Sequence, residues 1–227
     1  MNSLSFNLQQ IQKRIRSACL RAGRKPEDIL LIAVTKTVEE ERIQQAIQEG
    51  LTHFGENYLQ EAQRKIGNLN QGTWHFIGHL QKNKAKQAVK LFSMIETVDS
   101  PALAEELNRQ ALQNENTIDV LLQINEAGES TKSGLSPGQV PSLLEASSSW
   151  TALRIRGLMA IPPYDPDPEK SRKWYSSLFH LRNKWQQDFP QIDLNHLSMG
   201  MSHDFEVAIE EGATIIRVGT ALFGPRV

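Results

Sequence analysis

Residues 29–50 read ILLIAVTKTVEEERIQQAIQEG. The unbroken apolar run at 29–34 has the length and make-up of a buried strand. Thr37 and Glu40 follow at the spacing of a capping box, so a helix is expected to start there. Gly50 falls where a helix end calls for a left-handed residue. One strand therefore feeds one capped helix, and the alternation continues in both directions from this unit. Further strand patterns lie at 52–55, 74–77, 94–98, 118–124, 153–161, 192–199 and 214–218, with helical patterns between them. Ser136, Pro137 and Gln139 form a second box, Ser100–Pro101 and Asp167–Pro168 are cap-plus-proline starts, and Gly212 is a second helix stop. Eight strands alternating with helices is the count of a (β/α)8 TIM barrel. An open doubly wound sheet is the alternative. It is disfavoured because no Gly-x-Gly-x-x-Gly follows the first strand, and because polar or glycine residues end nearly every strand.

Ahead of this unit, Leu4, Leu8, Ile11, Ile15 and Ala18 repeat at helical spacing and Gly23 stops the pattern. Residues 1–24 are read as an extra helix packing on the barrel, and residues 1–227 as a single domain. Twenty-five basic residues against 26 acidic ones leave a net charge of −1, which argues against a protein that coats nucleic acid or an anionic membrane. With 39% hydrophobic and 22% charged residues the chain is globular rather than disordered. The lone Cys19 excludes an internal disulfide and fits a reducing compartment. No apolar stretch approaches the roughly 20 residues of a spanning helix, and the N-terminus has no signal-peptide core. A cytoplasmic protein without a membrane partner is expected. A closed barrel has no sheet edge to pair, so a monomer is expected.

In a barrel of this kind the site lies at the carboxyl ends of the strands. Read in order, these ends give Thr35 and Lys36; Gly55, Glu56 and Asn57; Gly78 and His79; Asp99; Asn125; Met159; Ser198 to Ser202; and Arg217, Gly219 and Thr220. A lysine one residue past a buried strand is partly desolvated, which favours the free amine a Schiff base needs; the other reading is a side chain that snorkels to the rim. The last two strands end in SMGMS and RVGT, the place where this fold holds phosphate. Ser202 also reads as an N-cap for the next helix. Closure puts the eighth strand beside the first, so Lys36 and the phosphate site face one another. A ligand with an aldehyde at one end and a phosphate at the other fits, and pyridoxal 5′-phosphate is the common one. Arg217 should point inward, to pair with a carboxylate such as Glu56 or to hydrogen-bond a ring nitrogen, which it would keep unprotonated.

Six segments carry a resemblance: AVTKT at 33–37, HFGENY at 53–58, WHFIGHLQKNK at 74–84, RGLMAI at 156–161, LSMGMSHDF at 197–205 and IRVGTALFG at 216–224. They resemble, in order and spacing, the pyridoxal phosphate homeostasis family, which is similar to the barrel domain of alanine racemase standing alone. The resemblance implies that Lys36 carries the cofactor as an internal aldimine and that Arg217 faces the pyridine nitrogen. It implies that Ser198, Ser202, Gly219 and Thr220 hold the phosphate, and that Asn57, Ile77, His79 and Met159 line the ring. Lys132 falls on a basic family position, as a second contact or, by preference, a loop charge. Alanine racemase has a further domain that supplies a tyrosine as second base, and Tyr58, Tyr164 and Tyr175 match no such motif. Little or no turnover is therefore implied, with a role in pyridoxal phosphate supply and amino-acid and keto-acid balance, and apo cofactor-dependent enzymes as transient recipients. A weak amino-acid racemase, a cofactor-independent Schiff-base aldolase and an interaction scaffold are the competing readings.

Other features read as structure. Lys82, Lys84, Lys86 and Lys90 make a solvated helix face. The six histidines show no metal-ligand spacing, and His53, His75 and His196 read as core or rim residues. Trp174, Leu178, Leu181 and Trp185 follow the spacing of a buried helix face.

Overall fold

The computed structural model describes residues 3–129 and 133–225. Eight parallel strands, β1 (Leu30–Val34), β2 (His53–Glu56), β3 (Thr73–Phe76), β4 (Met94–Val98), β5 (Ile118–Gln123), β6 (Leu153–Met159), β7 (His196–Met201) and β8 (Ile215–Val218), pair in sequence order and close into a barrel. Closure is made by β1 against β8, with Leu30 opposite Ile215 and Ala33 opposite Val218. This is the expected (β/α)8 architecture. Inside the barrel Ile32, Met94, Leu121, Met159 and Ile215 form a buried layer, and a larger apolar shell fills the space between strands and helices.

The helices are α1 (Leu4–Arg21), α2 (Glu40–Gln48), α3 (Leu59–Leu69), α4 (Ala85–Leu91), α5 (Pro101–Gln113), α6 (Val140–Ser147), α7 (Arg172–Asp188), α8 (Phe205–Glu210) and α9 (Thr220–Phe223). The apolar stripe of α1 is buried as read, with Cys19 added to it. Its polar side fastens it to the end of the chain: Arg14 to Glu206 at 2.7 Å, Arg21 to Glu210 at 2.6 Å, and the Asn7 amide to the Leu222 carbonyl at 2.9 Å. α1 therefore braces α8 and α9, the two helices that follow the last two strands.

The start signals hold in part. Asp167 Oδ1 accepts from the Glu169 N–H, and Gln139 Oε1 from the Ser136 N–H. Ser100 stands at the N-cap of α5, but its hydroxyl donates to Asp99. The Thr37–Glu40 box does not form. Glu39 is the N-cap of α2, while Thr37 has φ 60° and gives its N–H to Glu61. A β-branched residue in the left-handed region costs on the order of 1–3 kcal/mol, so this turn is held by its surroundings. Two strand patterns differ from their reading by more than one residue at an end. β6 stops at Met159 ahead of Pro162 and Pro163, which lack an N–H for the ladder, and β7 starts only at His196 because Gln186 takes the Leu194 N–H. On α7 the buried face is Tyr175, Leu178 and Trp185, leaving Trp174 and Leu181 half-buried.

Candidate functional site

The strand register decides what meets at the mouth. Ala33 pairs with Val218, so the segment after β1, with Lys36, runs beside the segment after β8, with Gly219 and Thr220. Neighbouring strands lie about 4.8 Å apart. A cleft of about 260 Å³ opens between these segments, lined by Val34, Thr37, Val38, Arg42, Gly219 and Phe223. Lys36 is half-buried and Thr220 exposed.

The SMGMS segment that ends β7 is shaped by Gly200, at φ 91°, where a Cβ would sit 2.5 Å from Ala208 Cβ. Asp204 fixes the turn: Oδ1 accepts from the Met201 N–H, and Oδ2 from the hydroxyls of Ser171 and Tyr175. Asp204, not Ser202, stands at the N-cap of α8. The Ser202 hydroxyl instead accepts from the N–H groups of Gly219 at 3.3 Å and Ala221 at 3.2 Å. An oxygen is thus already held by the backbone donors that follow β8, in the place where a phosphate oxygen is expected.

Across the mouth, Asn57, Ile77, Gly78, His79, Thr97 and Asn125 line a second cavity of about 320 Å³. Gly78 lets β2 and β3 converge there, since a Cβ on it would lie 2.2 Å from the Asn57 carbonyl oxygen. Asn57 Oδ1 is buried and has no partner, an acceptor waiting for a donor. His79 lies 3.0 Å from Asp99 and 3.1 Å from Ser133. Three of the four residues expected to line a ring are therefore brought together. The fourth, Met159, is fully buried in the layer with Ile32, Leu121 and Ile215, a floor rather than a rim. Lys132 lies outside the described residues.

Arg217 points inward as expected but does not meet Glu56. Its Nη1 donates to Ser198 Oγ at 2.6 Å and its Nη2 to the Ala160 carbonyl at 3.0 Å. Ser198 donates in turn to Glu96 Oε2 at 2.5 Å. Glu96 Oε1 lies 2.9 Å from His75 Nδ1, and His75 Nε2 lies 3.0 Å from His53 Nδ1. A polar chain of His53, His75, Glu96, Ser198 and Arg217 therefore crosses the barrel interior. All of its members but His53 are buried, Ser198 and Glu96 completely. Burial alone would raise the Glu96 carboxyl; the bond and charge of His75, the charge of Arg217 and the Ser198 bond together outweigh it and hold the group below the usual glutamate value. Burial, then the neighbouring His75, lowers His53.

Ser198 is thus an interior residue whose hydroxyl is engaged on both sides, so it reaches the site through Arg217. Glu96 was missed by the sequence reading. The signal was there: a lone carboxylate inside the buried run MIETV at 94–98. The histidines of β2 and β3 are satisfied interior groups, as read.

Residues 6–227 match the family model described as alanine racemase, N-terminal domain. The pyridoxal phosphate homeostasis protein of Aquifex aeolicus is 43% identical over 221 residues, 96% of each chain. The protein of the same name from Escherichia coli K12 is 40% identical over 235 residues, 100% of this chain and 98% of the relative. The chain belongs to the pyridoxal phosphate homeostasis family. PipY of Synechococcus elongatus has been solved with and without PLP. PipY of Synechococcus elongatus with PLP bound is 39% identical with a TM-score of 0.83, covering 94% of this chain and 100% of PipY. Alanine racemase of Clostridium difficile, at 17% identity and a TM-score of 0.73, covers 98% of this chain and 56% of the racemase, and shares the fold.

Proposed function

We propose that the protein binds pyridoxal 5′-phosphate and serves its homeostasis, holding the cofactor on Lys36 as an internal aldimine with little or no turnover. The observation that carries this reading is the β1–β8 register, which sets Lys36 beside the backbone donors of Gly219 and Ala221. The PLP-bound PipY, alike over the same length, supports it. Bound there, the cofactor supplies an aldehyde and an electron-accepting ring. The rest is the work of this chain. The Lys36 amine adds to the aldehyde carbon and water leaves. Ser202, Gly219 and Thr220 hold the phosphate. Arg217 presents a guanidinium, a donor that cannot give up its proton, to the ring nitrogen, which leaves that nitrogen unprotonated and the ring a weaker acceptor. Asn57, Ile77 and His79 flank the ring above Met159, while Ser198 acts by fixing Arg217.

Low turnover is supported by the tyrosines, since racemisation needs an acid and a base on opposite faces. Tyr175 is buried on Asp204, Tyr164 is 79% exposed beside His203, and Tyr58 is 59% exposed at the start of α3. We read residues 1–227 as one cytoplasmic, monomeric unit that passes cofactor to apo enzymes. The test is the visible spectrum of the purified protein given pyridoxal phosphate, before and after borohydride, beside Lys36→Ala. A band lost on reduction and absent in the variant is expected. A wild-type protein that takes up no pyridoxal phosphate overturns the proposal, and robust turnover of any amino acid overturns its carrier part.

A further inference from the structure

Behind Lys36 lies a second lysine that the chemistry above does not use. Lys65 of α3 is fully buried, and its ammonium makes three bonds: to Glu61 Oε1 at 2.6 Å, to Glu56 Oε1 at 2.8 Å and to the Thr35 carbonyl oxygen at 2.6 Å. Glu61 Oε1 also accepts from the Thr37 N–H at 2.7 Å, and the Thr35 hydroxyl donates to Glu56 Oε1 at 2.6 Å. The Thr35 carbonyl belongs to the peptide unit entering Lys36, and the Thr37 N–H to the peptide unit leaving it. One ion cluster on α3 therefore grips the backbone on both sides of a single residue. It also holds Thr37 at φ 60°, a conformation a threonine does not keep unaided.

Stability alone does not call for this arrangement. A buried ammonium is costly to desolvate, and an apolar contact under the β1 end would pack as well. Here the bonds converge on the two peptide units that set where the Lys36 side chain points. We propose that Lys65 and Glu61 are positioning residues for Lys36, aiming its amine at the aldehyde of the cofactor. The inference rests on the reading that Lys36 forms the imine.

The test separates aiming from binding. Borohydride trapping with mass spectrometry of the Lys36 peptide gives the rate at which pyridoxal phosphate condenses with Lys36. Pyridoxine 5′-phosphate, with an alcohol in place of the aldehyde, gives the affinity without condensation. Glu61→Ala removes the acceptor for the Thr37 N–H and should slow trapping about tenfold or more, as a misaimed nucleophile does, with pyridoxine phosphate affinity within about twofold of wild type. Glu61→Gln keeps an acceptor and should recover most of the rate. The paired Glu56→Gln/Lys65→Met variant removes one buried charge of each sign, leaves Glu61 on the Thr37 N–H without its ammonium partner, frees the Thr35 carbonyl, and should be as slow as Glu61→Ala. Trapping at the wild-type rate in Glu61→Ala and the paired variant overturns the inference, as does a loss of rate matched by an equal loss of pyridoxine phosphate affinity. A wild-type protein that traps nothing at Lys36 overturns the reading of Lys36 itself.

Discussion

Glu96 is the acceptor on which the interior chain converges. Ser198 donates to one carboxylate oxygen and His75 Nδ1 faces the other at 2.9 Å, with Arg217 donating to Ser198 and His53 Nδ1 lying 3.0 Å from His75 Nε2. A glutamine has the same shape but offers one acceptor and one donor, so either Ser198 or His75 meets an N–H instead of an oxygen. Glu96→Gln should lower stability by about 1–3 kcal/mol, the cost of a mispaired buried polar group, read as a lower urea midpoint. It should also shift the absorption of bound pyridoxal phosphate, because Ser198, which accepts from Arg217, loses its fixed acceptor. An unchanged spectrum would detach Glu96 from the site.

Glu126 gives a second test at the same scale. Burial raises its carboxyl to about 7, and Oε1 has no hydrogen-bond partner. The unfolded chain ionises this group near its ordinary value of 4.5. A raised carboxyl favours the fold below that value, and the advantage is lost as pH rises through about 7. Glu126→Gln removes the ionisation. It should melt at a higher temperature than wild type at about pH 8 and show no gain at about pH 4. An equal difference at both pH values would mean that packing, not charge, sets the effect.

At the scale of elements, α1 braces the helices that follow β7 and β8. Ile11 is 2% exposed in its stripe. Ile11→Ala should cost about 2–5 kcal/mol, as large-to-small changes in a core do, measured by urea denaturation. The stripe was legible because helical spacing is a local signal. So were the eight strands and the glycine stops. The Thr37–Glu40 box was not, because Glu61, a residue of another element, competes for the Thr37 N–H. Lys65 was illegible for the same reason. Four residues after Glu61 on a polar helix, it has the look of a surface ion pair, and only the packing of α3 against the ends of β1 and β2 buries it. Lys36, Gly219 and Arg217 stood out because a strand end is a place the sequence marks, whereas Glu96, which holds Ser198 behind Arg217, lies 102 residues before Ser198 in the chain.

For the whole molecule, closure is what leaves the sheet without an edge. Each strand pairs on both sides, so no row of backbone groups is left to recruit another chain. Among the described residues, the large exposed apolar side chains are divided among Phe6 and Leu20 of α1, Tyr58 before α3, Leu112 of α5, and Ile161 and Tyr164 after β6. Stable interfaces bury about 800 Å² per partner around an apolar centre, and a closed barrel has no sheet edge that calls for one. The protein should therefore scatter light as a species of 25.6 kDa. Its melting temperature should not move with protein concentration, because only an associating fold gains stability by mass action. A mass near twice that value, with a melting temperature that climbs as the protein is concentrated, would mean that a second copy completes the molecule. The open mouth around Lys36 would then be the first surface to examine for what it covers.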